Sequence, residues 1–159
     1  RLCDTFNIPI VSLVDEPGFL IGPDAEKAGT ILHGTEAVLA TTESTVPWTT
    51  VMIRKSFGVA AAAHYGPDGY VLAWPSAESG PLPLEGGVAV AFKKEISEAE
   101  DPEAKRKELE EKMAKNQNPF PRAEAFSVHE IIDPRETRKY ISLWAERIQS
   151  QLKASLMSR

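Results

Sequence analysis

The sequence predicts an α/β fold built on a parallel sheet. Three apolar runs of strand length lie in the first half of the chain, at residues 8 to 14, 49 to 53 and 70 to 74. Segments of helical composition separate these runs, and strands that alternate with helices indicate βαβ units. With 159 residues, of which 42% are apolar, the chain is long enough for one domain with a real core.

The first run, 8 to 14, is almost continuously apolar, which is typical of a buried parallel strand. Two prolines and two glycines predict a loop over residues 15 to 23. We expect a helix from 24 to 42 with Asp24 as its N-cap. Its apolar positions predict a stripe that packs on the core: Ala28, Ile31, Leu32, Val38 and Leu39.

The second strand, 49 to 53, is followed by a predicted short helix at 60 to 64. The third strand, 70 to 74, ends before Pro75. Residues 86 to 94 indicate a helix, although their β-branched side chains would also allow a strand.

The composition becomes strongly charged over residues 97 to 122. Asp101 is the predicted N-cap of a solvated helix, with Pro102 at its first position. We interpret this segment as a charged helical excursion within a single domain, 1 to 159; a docking helix is the alternative.

A last helix is expected from 135 to 156, capped by Asp133 and Pro134. Its apolar face comprises Tyr140, Ile141, Leu143, Trp144 and Ile148.

Composition excludes several kinds of site. A net charge of −5 argues against general nucleic-acid binding, which leaves a basic footprint. A single cysteine, Cys3, excludes an internal disulfide framework. The histidines His33, His64 and His129 have no partners at metal-ligand spacing, so we predict no metal site. No apolar run approaches the roughly 20 residues of a membrane span.

The chain starts at Arg1 and enters its first strand almost at once, without a signal sequence. We therefore expect it to be a piece of a longer polypeptide, with a processed mature chain as the alternative.

Residues 54 to 62 carry the most informative pattern. An apolar strand stops near Gly58, and helix-forming alanines follow. Such a helix start presents backbone N–H groups without intrahelical acceptors and carries partial positive charge, so it can hold an oxyanion. Fixed donors of this kind often supply the largest single term in acyl-transfer and enolate catalysis.

Four motifs occur in a fixed order along the chain. They are Asp-Glu-Pro-Gly-Phe-Leu-Ile-Gly at 15–22, Arg-Lys-Ser-Phe-Gly at 54–58, Ala-Trp-Pro-Ser-Ala-Glu at 73–78 and Asp-Pro-Arg-Glu-Thr-Arg at 133–138. Together with Asn-Ile-Pro at 7–9 and His-Gly at 33–34, this order resembles the carboxyltransferase of biotin-dependent acyl-CoA carboxylases. The propionyl-CoA carboxylase β-type subunits are the most similar group, and the resemblance covers only their C-terminal half.

The resemblance implies a crotonase-like fold of the ClpP/crotonase superfamily, with ββα units and parallel sheets flanked by helices. It also implies an active site where the C-terminal half of one subunit meets the N-terminal half of another. The C-terminal half would face carboxybiotin on a carrier protein, and CO2 would pass to the α-carbon of an acyl-CoA through enolates held in oxyanion holes.

The expected partners are accordingly the N-terminal carboxyltransferase half, a biotin carboxylase or biotin carrier subunit and further copies of the chain. The resemblance implies biotin as cofactor, acyl-CoA as substrate and no metal in this domain. The expected compartment is the cytoplasm, or the mitochondrial matrix in a eukaryote.

The resemblance also assigns site residues. The backbone N–H groups of Val59 and Ala60 would form the oxyanion hole for the biotin ureido oxygen. The biotin pocket would comprise Pro17, Gly18, Phe19 and Gly58; a strand-end turn with a core phenylalanine is the alternative for 17 to 19.

The chain departs from the family pattern at three places. Val59 replaces a glycine, and its β-branch would narrow the pocket and exclude a glycine-only φ. Ala62 stands where carboxylases of short acyl groups often have Asp, so we expect that acetyl- and propionyl-CoA are not the preferred substrates. Residues 79 to 84 contain two prolines in place of an apolar run, which would shorten any helix there.

Two other functions stay open at this stage. A biotin-dependent acyl-CoA decarboxylase would run the transfer in reverse, and a non-catalytic domain of the same fold would serve assembly alone. A stand-alone hydratase is disfavoured because no pair of glutamates lies near residues 54 to 62. Arg54 and Lys55 either steer an anionic ligand or are solvated strand-end charges.

Overall fold

A parallel sheet forms the centre of the chain in a computed structural model that describes residues 1–157. Its strands are β1 (Ile10–Glu16), β2 (Trp48–Phe57), β3 (Tyr70–Ala73), β4 (Glu78–Gly80) and β5 (Glu130–Ile131). They lie in the order β1-β2-β3-β5, and β4 pairs with the far end of β2. Every pairing is parallel, which confirms the predicted α/β class.

Helices connect and flank these strands. They are α1 (Leu2–Phe6), α2 (Pro23–Lys27), α3 (Thr30–Thr42), α4 (Gly58–Ala62), α5 (Leu84–Ala91), α6 (Lys93–Ser97), α7 (Pro102–Gln117), α8 (Pro119–Glu124), α9 (Thr137–Arg147) and α10 (Gln149–Met157). A 3₁₀ turn, Pro134–Glu136, precedes α9.

The central strand β2 is longer than predicted. Its first part pairs with β3, with Thr49 opposite Tyr70. Its second part pairs with β4, with Lys55 opposite Glu78. Because β4 supplies hydrogen-bonding partners, the polar residues that follow Ile53 continue the strand up to the start of α4.

The prediction that the first strand is buried is wrong for this chain. Within β1 only Val14 is buried, and the side chain of Leu13 is 57% exposed. The reason is position, since β1 lies at the edge of the sheet and the core forms around β2 and β3.

The predicted helix 24 to 42 is two helices, because Gly29 adopts φ +72° between α2 and α3. Gly22 occupies the N-cap position, and Asp24 lies in the first turn. The buried stripe predicted for this helix is also wrong: Leu32 is 64% exposed, and small residues of α3 are buried instead. The exposed members of the stripe are Ala28, Ile31, Leu32 and Leu39.

Residues 84 to 91 form helix α5. Of the two alternatives for residues 86 to 94, the helix is therefore correct and the strand is wrong. Pro83 occupies its N-cap position, so the prolines fix where this helix starts. The cap of α7 is confirmed, since the Asp101 side chain accepts from the N–H groups of Glu103 and Ala104.

The predicted last helix is divided into the 3₁₀ turn, α9 and α10. Asp133 caps the turn by accepting from the Arg135 N–H at 2.9 Å. Trp144 and Ile148 are buried as predicted, whereas Leu143 is exposed.

Candidate functional site

The candidate site begins where β2 passes directly into α4. Phe57, the last residue of β2, has extended backbone angles, and Gly58 turns the chain with φ +65°. Residues that carry a side chain rarely adopt this left-handed backbone conformation, so the turn favours glycine. The predicted strand-to-helix junction is therefore confirmed.

Helix α4 offers backbone donors at its first turn. The first N–H groups of a helix have no intrahelical acceptor, and in the described part of the chain no side chain caps α4. Val59 lies within the helix and the positive φ belongs to Gly58, so the β-branched side chain is accommodated without strain. The left-handed turn therefore falls on Gly58, and position 59 needs no glycine-only φ.

A cavity of about 600 Å³, here named the α4–α5 cavity, lies beside these donors. It brings together six of the predicted site residues: Pro17, Gly18, Phe19, Gly58, Val59 and Ala60. Its opposite wall consists of the segment before α5 and of α5 itself, including Leu82 and Val90. The lining is mainly apolar, which favours a ligand with an apolar body and few polar atoms.

The loop after β1 is held in place by one of its own carboxylates. Glu16 Oε1 accepts a hydrogen bond from the Gly18 N–H at 2.9 Å, and Gly18 adopts φ +132°. The Phe19 ring packs on α3 at Gly34, where a Cβ would overlap it.

The neighbouring carboxylate, Asp15, pairs with a cation of β2. Arg54 Nη2 lies 3.0 Å from Asp15 Oδ2, and Arg54 Nε lies 3.1 Å from each carboxylate oxygen. The Lys55 N–H also donates to Asp15 Oδ1 at 3.2 Å. The hydrogen bonds from Arg54 lower the pKa of Asp15. Asp15 and Glu16 thus bind different partners and do not form a carboxylate pair.

Ala62 is not brought to the α4–α5 cavity. It lines a second cavity, of about 590 Å³, which shares Gly58, Val59 and Pro81 with the first. We name it the Arg122 cavity, after the cation in its wall.

Sequence reasoning missed the polar residues of the Arg122 cavity: Ser56, Tyr65, Ser79 and Arg122. Ser79 begins the segment 79 to 84, where the chain departs from the family pattern, and this departure was the available signal for the cavity. Arg122 lies in no motif.

The histidines make structural contacts. His64 Nδ1 lies 3.1 Å from Ser12 Oγ, and His129 Nδ1 accepts from the Val71 N–H at 2.9 Å. His33 is exposed, 3.6 Å from Glu36. Within residues 1–157, no cluster of three or more His, Cys, Asp or Glu side chains could hold a metal ion. No helix of that range is both long and apolar enough to cross a membrane.

Comparison with known proteins gives consistent matches. The carboxyltransferase subunit of propionyl-CoA carboxylase from Haloferax mediterranei is 40% identical over 159 residues, covering 97% of this chain and 31% of that protein. The methylmalonyl-CoA decarboxylase subunit alpha of Propionigenium modestum is 40% identical over 146 residues, covering 89% and 28%.

A solved structure of transcarboxylase 12S, a hexamer with methylmalonyl-coenzyme A and methylmalonic acid bound, superposes with a TM-score of 0.83 at 42% identity. The match covers 93% of this chain and 29% of that one. The chain thus spans less than a third of the length of these relatives. The superposition confirms the predicted crotonase-like fold. The family model of the carboxyl transferase domain matches residues 1–157 of this chain. The chain therefore belongs to the carboxyl transferase domain family.

Proposed function

We propose that this chain is the biotin-facing half of an acyl-CoA carboxyltransferase, within a longer subunit that also contains an acyl-CoA-binding half. The observation that carries the proposal is the α4–α5 cavity. It joins the loop at Pro17, Gly18 and Phe19 to the uncapped N–H groups at the start of α4.

The cavity fits the bicyclic ring of biotin. Its volume is about 600 Å³, and its apolar walls suit the hydrocarbon part of the ring system. Its polar components are backbone groups, and backbone N–H groups can donate hydrogen bonds to the ureido oxygen of biotin. When bound in carboxylated form, biotin supplies CO2 and a ureido oxygen that gains negative charge.

The residues of the chain would act mainly by holding hydrogen-bond donors in place beside the bound biotin. The N–H groups of Val59 and Ala60 donate hydrogen bonds to the charged oxygen, a role that needs no acidic or nucleophilic side chain. Phe19 and Val59 line the cavity beside these donors, and a bound ring system that displaces water from the cavity would strengthen these hydrogen bonds.

Ala62 is proposed to influence which acyl group is accepted. Alanine provides neither the charge nor the volume of the aspartate that is often found at this position in carboxylases of short acyl groups. We therefore propose that the enzyme does not prefer acetyl- or propionyl-CoA.

Exposed apolar residues on β1 and α3 support the proposed partners. Val11, Leu13, Ile31 and Leu32 are exposed here, although patterns of this kind normally pack against another surface. We propose that the N-terminal half or a second copy covers them. A biotin carrier subunit would approach the α4–α5 cavity, and the assembly would lie in the cytoplasm or, in a eukaryote, the mitochondrial matrix.

A biotin-dependent decarboxylase is the second candidate. The similarity to a methylmalonyl-CoA decarboxylase subunit at 40% identity favours it. ATP dependence of the reconstituted complex, supplied with bicarbonate, separates the two directions. Formation of carboxybiotin from bicarbonate requires ATP, whereas its formation by decarboxylation of an acyl-CoA does not.

Transfer of radiolabel tests the proposal. The complete subunit, with its N-terminal half, is mixed with ¹⁴C-carboxybiotin on its carrier protein and a panel of acyl-CoA esters. We expect labelled carboxyacyl-CoA, with esters longer than propionyl-CoA preferred. A properly folded subunit that transfers no label to any ester would instead indicate an assembly domain.

A further inference from the structure

The Arg122 cavity has a polar wall that the proposed carboxyl transfer does not use. It lies beside α4, on the side of Ala61 and Ala62, and β2, β4 and α8 contribute Ser56, Ser79 and Arg122 respectively.

Two polar atoms in this wall are buried without a partner. Ser79 is 3% exposed, and its Oγ has no hydrogen-bond partner among the residues that the structure describes. The Nε of Arg122 is also buried without one. None of the ion pairs found between described residues includes the Arg122 guanidinium. Burying such groups unpaired is unfavourable, so each needs an explanation in a native structure.

The other polar groups of the wall do not satisfy them. Ser56 Oγ and Tyr65 Oη form a hydrogen bond of 2.6 Å with each other. Burial raises the pKa of the Tyr65 phenol, which therefore stays neutral near pH 7. No acidic residue is found among the described residues that line the cavity, so Arg122 makes this wall positively charged.

We propose that the Arg122 cavity is a binding site for an oxyanion of the carboxylate class. A guanidinium presents a planar set of donors that matches a carboxylate, and such charge-assisted hydrogen bonds are the strong ones. The Ser79 hydroxyl, which lines the same cavity, supplies a further donor. Small side chains at Ala61 and Ala62 leave the space that the ligand occupies.

The carboxylate can come from a free small anion or from the distal end of a larger ligand such as an acyl-CoA ester. Binding at this site requires no carboxyl transfer. Its failure is therefore distinguishable from failure of the proposed function, which is measured by label transfer.

Calorimetric titration of the complete subunit tests both sources. One arm uses sodium acetate and sodium bicarbonate, with sodium chloride at equal ionic strength as the control. The other arm compares glutaryl-CoA with pentanoyl-CoA, which have the same number of acyl carbons but differ in the terminal carboxylate. Each titration is repeated with Arg122→Gln, with Ser79→Ala and with Arg138→Gln, which removes an equal charge from an exposed position on α9.

We expect saturable binding in at least one arm, weakened at least about 10-fold by Arg122→Gln and unchanged by Arg138→Gln. Ser79→Ala should weaken binding as well, while raising the Tm of the ligand-free protein because it removes an unpartnered buried hydroxyl. These opposite effects distinguish a ligand-binding role from a structural one. If neither free anions nor the glutaryl ester bind in an Arg122-dependent way, the proposal is wrong.

Discussion

The Phe19 ring packs against the backbone of α3 at Gly34, so closely that a Cβ at position 34 would overlap the ring. Gly34 is buried, and Phe19 lines the α4–α5 cavity. This contact connects the His-Gly motif of the sequence with the loop that follows β1. Gly34 thereby fixes where the Phe19 ring lies in the proposed biotin pocket.

Gly34→Ala should displace Phe19 and weaken binding of biotin. The effect on stability should be small, since alanine gains about 1 kcal/mol of helix propensity that offsets the lost packing. Titration of the complete subunit with free biotin measures the loss of affinity, and thermal unfolding measures the stability.

The control is the same change in a Phe19→Ala background. Without the ring there is no overlap, so Gly34→Ala should then leave biotin affinity unchanged and raise stability by about 1 kcal/mol. An equal loss of affinity in both backgrounds would show that Gly34 acts independently of Phe19.

The hydrogen bond between Tyr70 and Glu130 predicts a pH-dependent stability. The Tyr70 hydroxyl donates to Glu130 Oε1, between neighbouring strands β3 and β5. Burial, and then this hydrogen bond, raise the pKa of Tyr70 from 10.0 to about 12. Because the folded state holds this proton more tightly, the stabilisation is complete below pH 10 and is lost as the pH rises to about 12.

Tyr70→Phe should therefore destabilise the protein at pH 8 by roughly 1 kcal/mol, the usual contribution of one hydrogen bond. The difference from wild type should shrink between pH 10 and 12, as measured by urea unfolding at several pH values. A difference that stays constant over this range would contradict the assignment.

Ala62→Asp should move substrate preference towards short acyl groups. The change adds charge and volume in the wall of the Arg122 cavity, at the last residue of α4. We expect the ratio of kcat/KM for propionyl-CoA to that for a longer ester to rise by roughly 10-fold. Ala62→Asn, which adds similar volume without charge, separates the two contributions. An unchanged ratio in both variants would exclude position 62 as a determinant of the acyl group.

The sequence predicted the junction between β2 and α4 because its signal is local. Gly58 supplies the left-handed turn, and the alanines after it favour a helix. The family motifs placed Phe19 and Gly58 in one pocket, and the structure brings both to the α4–α5 cavity.

Burial on β1 and α3 could not be predicted in the same way. Apolar periodicity shows that a face avoids water, but it does not show which surface covers that face. Leu13 and Leu32 follow the expected pattern and are nevertheless exposed in this chain. The Arg122 cavity was missed for a different reason, since Ser79 and Arg122 are far apart in sequence and only the fold brings them together.

The central claim is that backbone donors at the start of α4 stabilise negative charge on biotin. Val59→Pro removes the N–H group, whereas Val59→Ala keeps it and removes only the β-branch. Proline is tolerated best at the first helical position, whereas Val59 is the second residue of α4, so Val59→Pro can destabilise the helix. Thermal unfolding of both variants must therefore show that the subunit stays folded.

The most direct measurement is kcat for label transfer from ¹⁴C-carboxybiotin to acyl-CoA by the complete subunit carrying each variant. We predict that Val59→Ala stays within a few-fold of wild type and that a folded Val59→Pro loses about 10²- to 10³-fold in kcat, as is usual when one oxyanion donor is removed. Wild-type kcat in a folded Val59→Pro subunit would contradict the assignment of this N–H group.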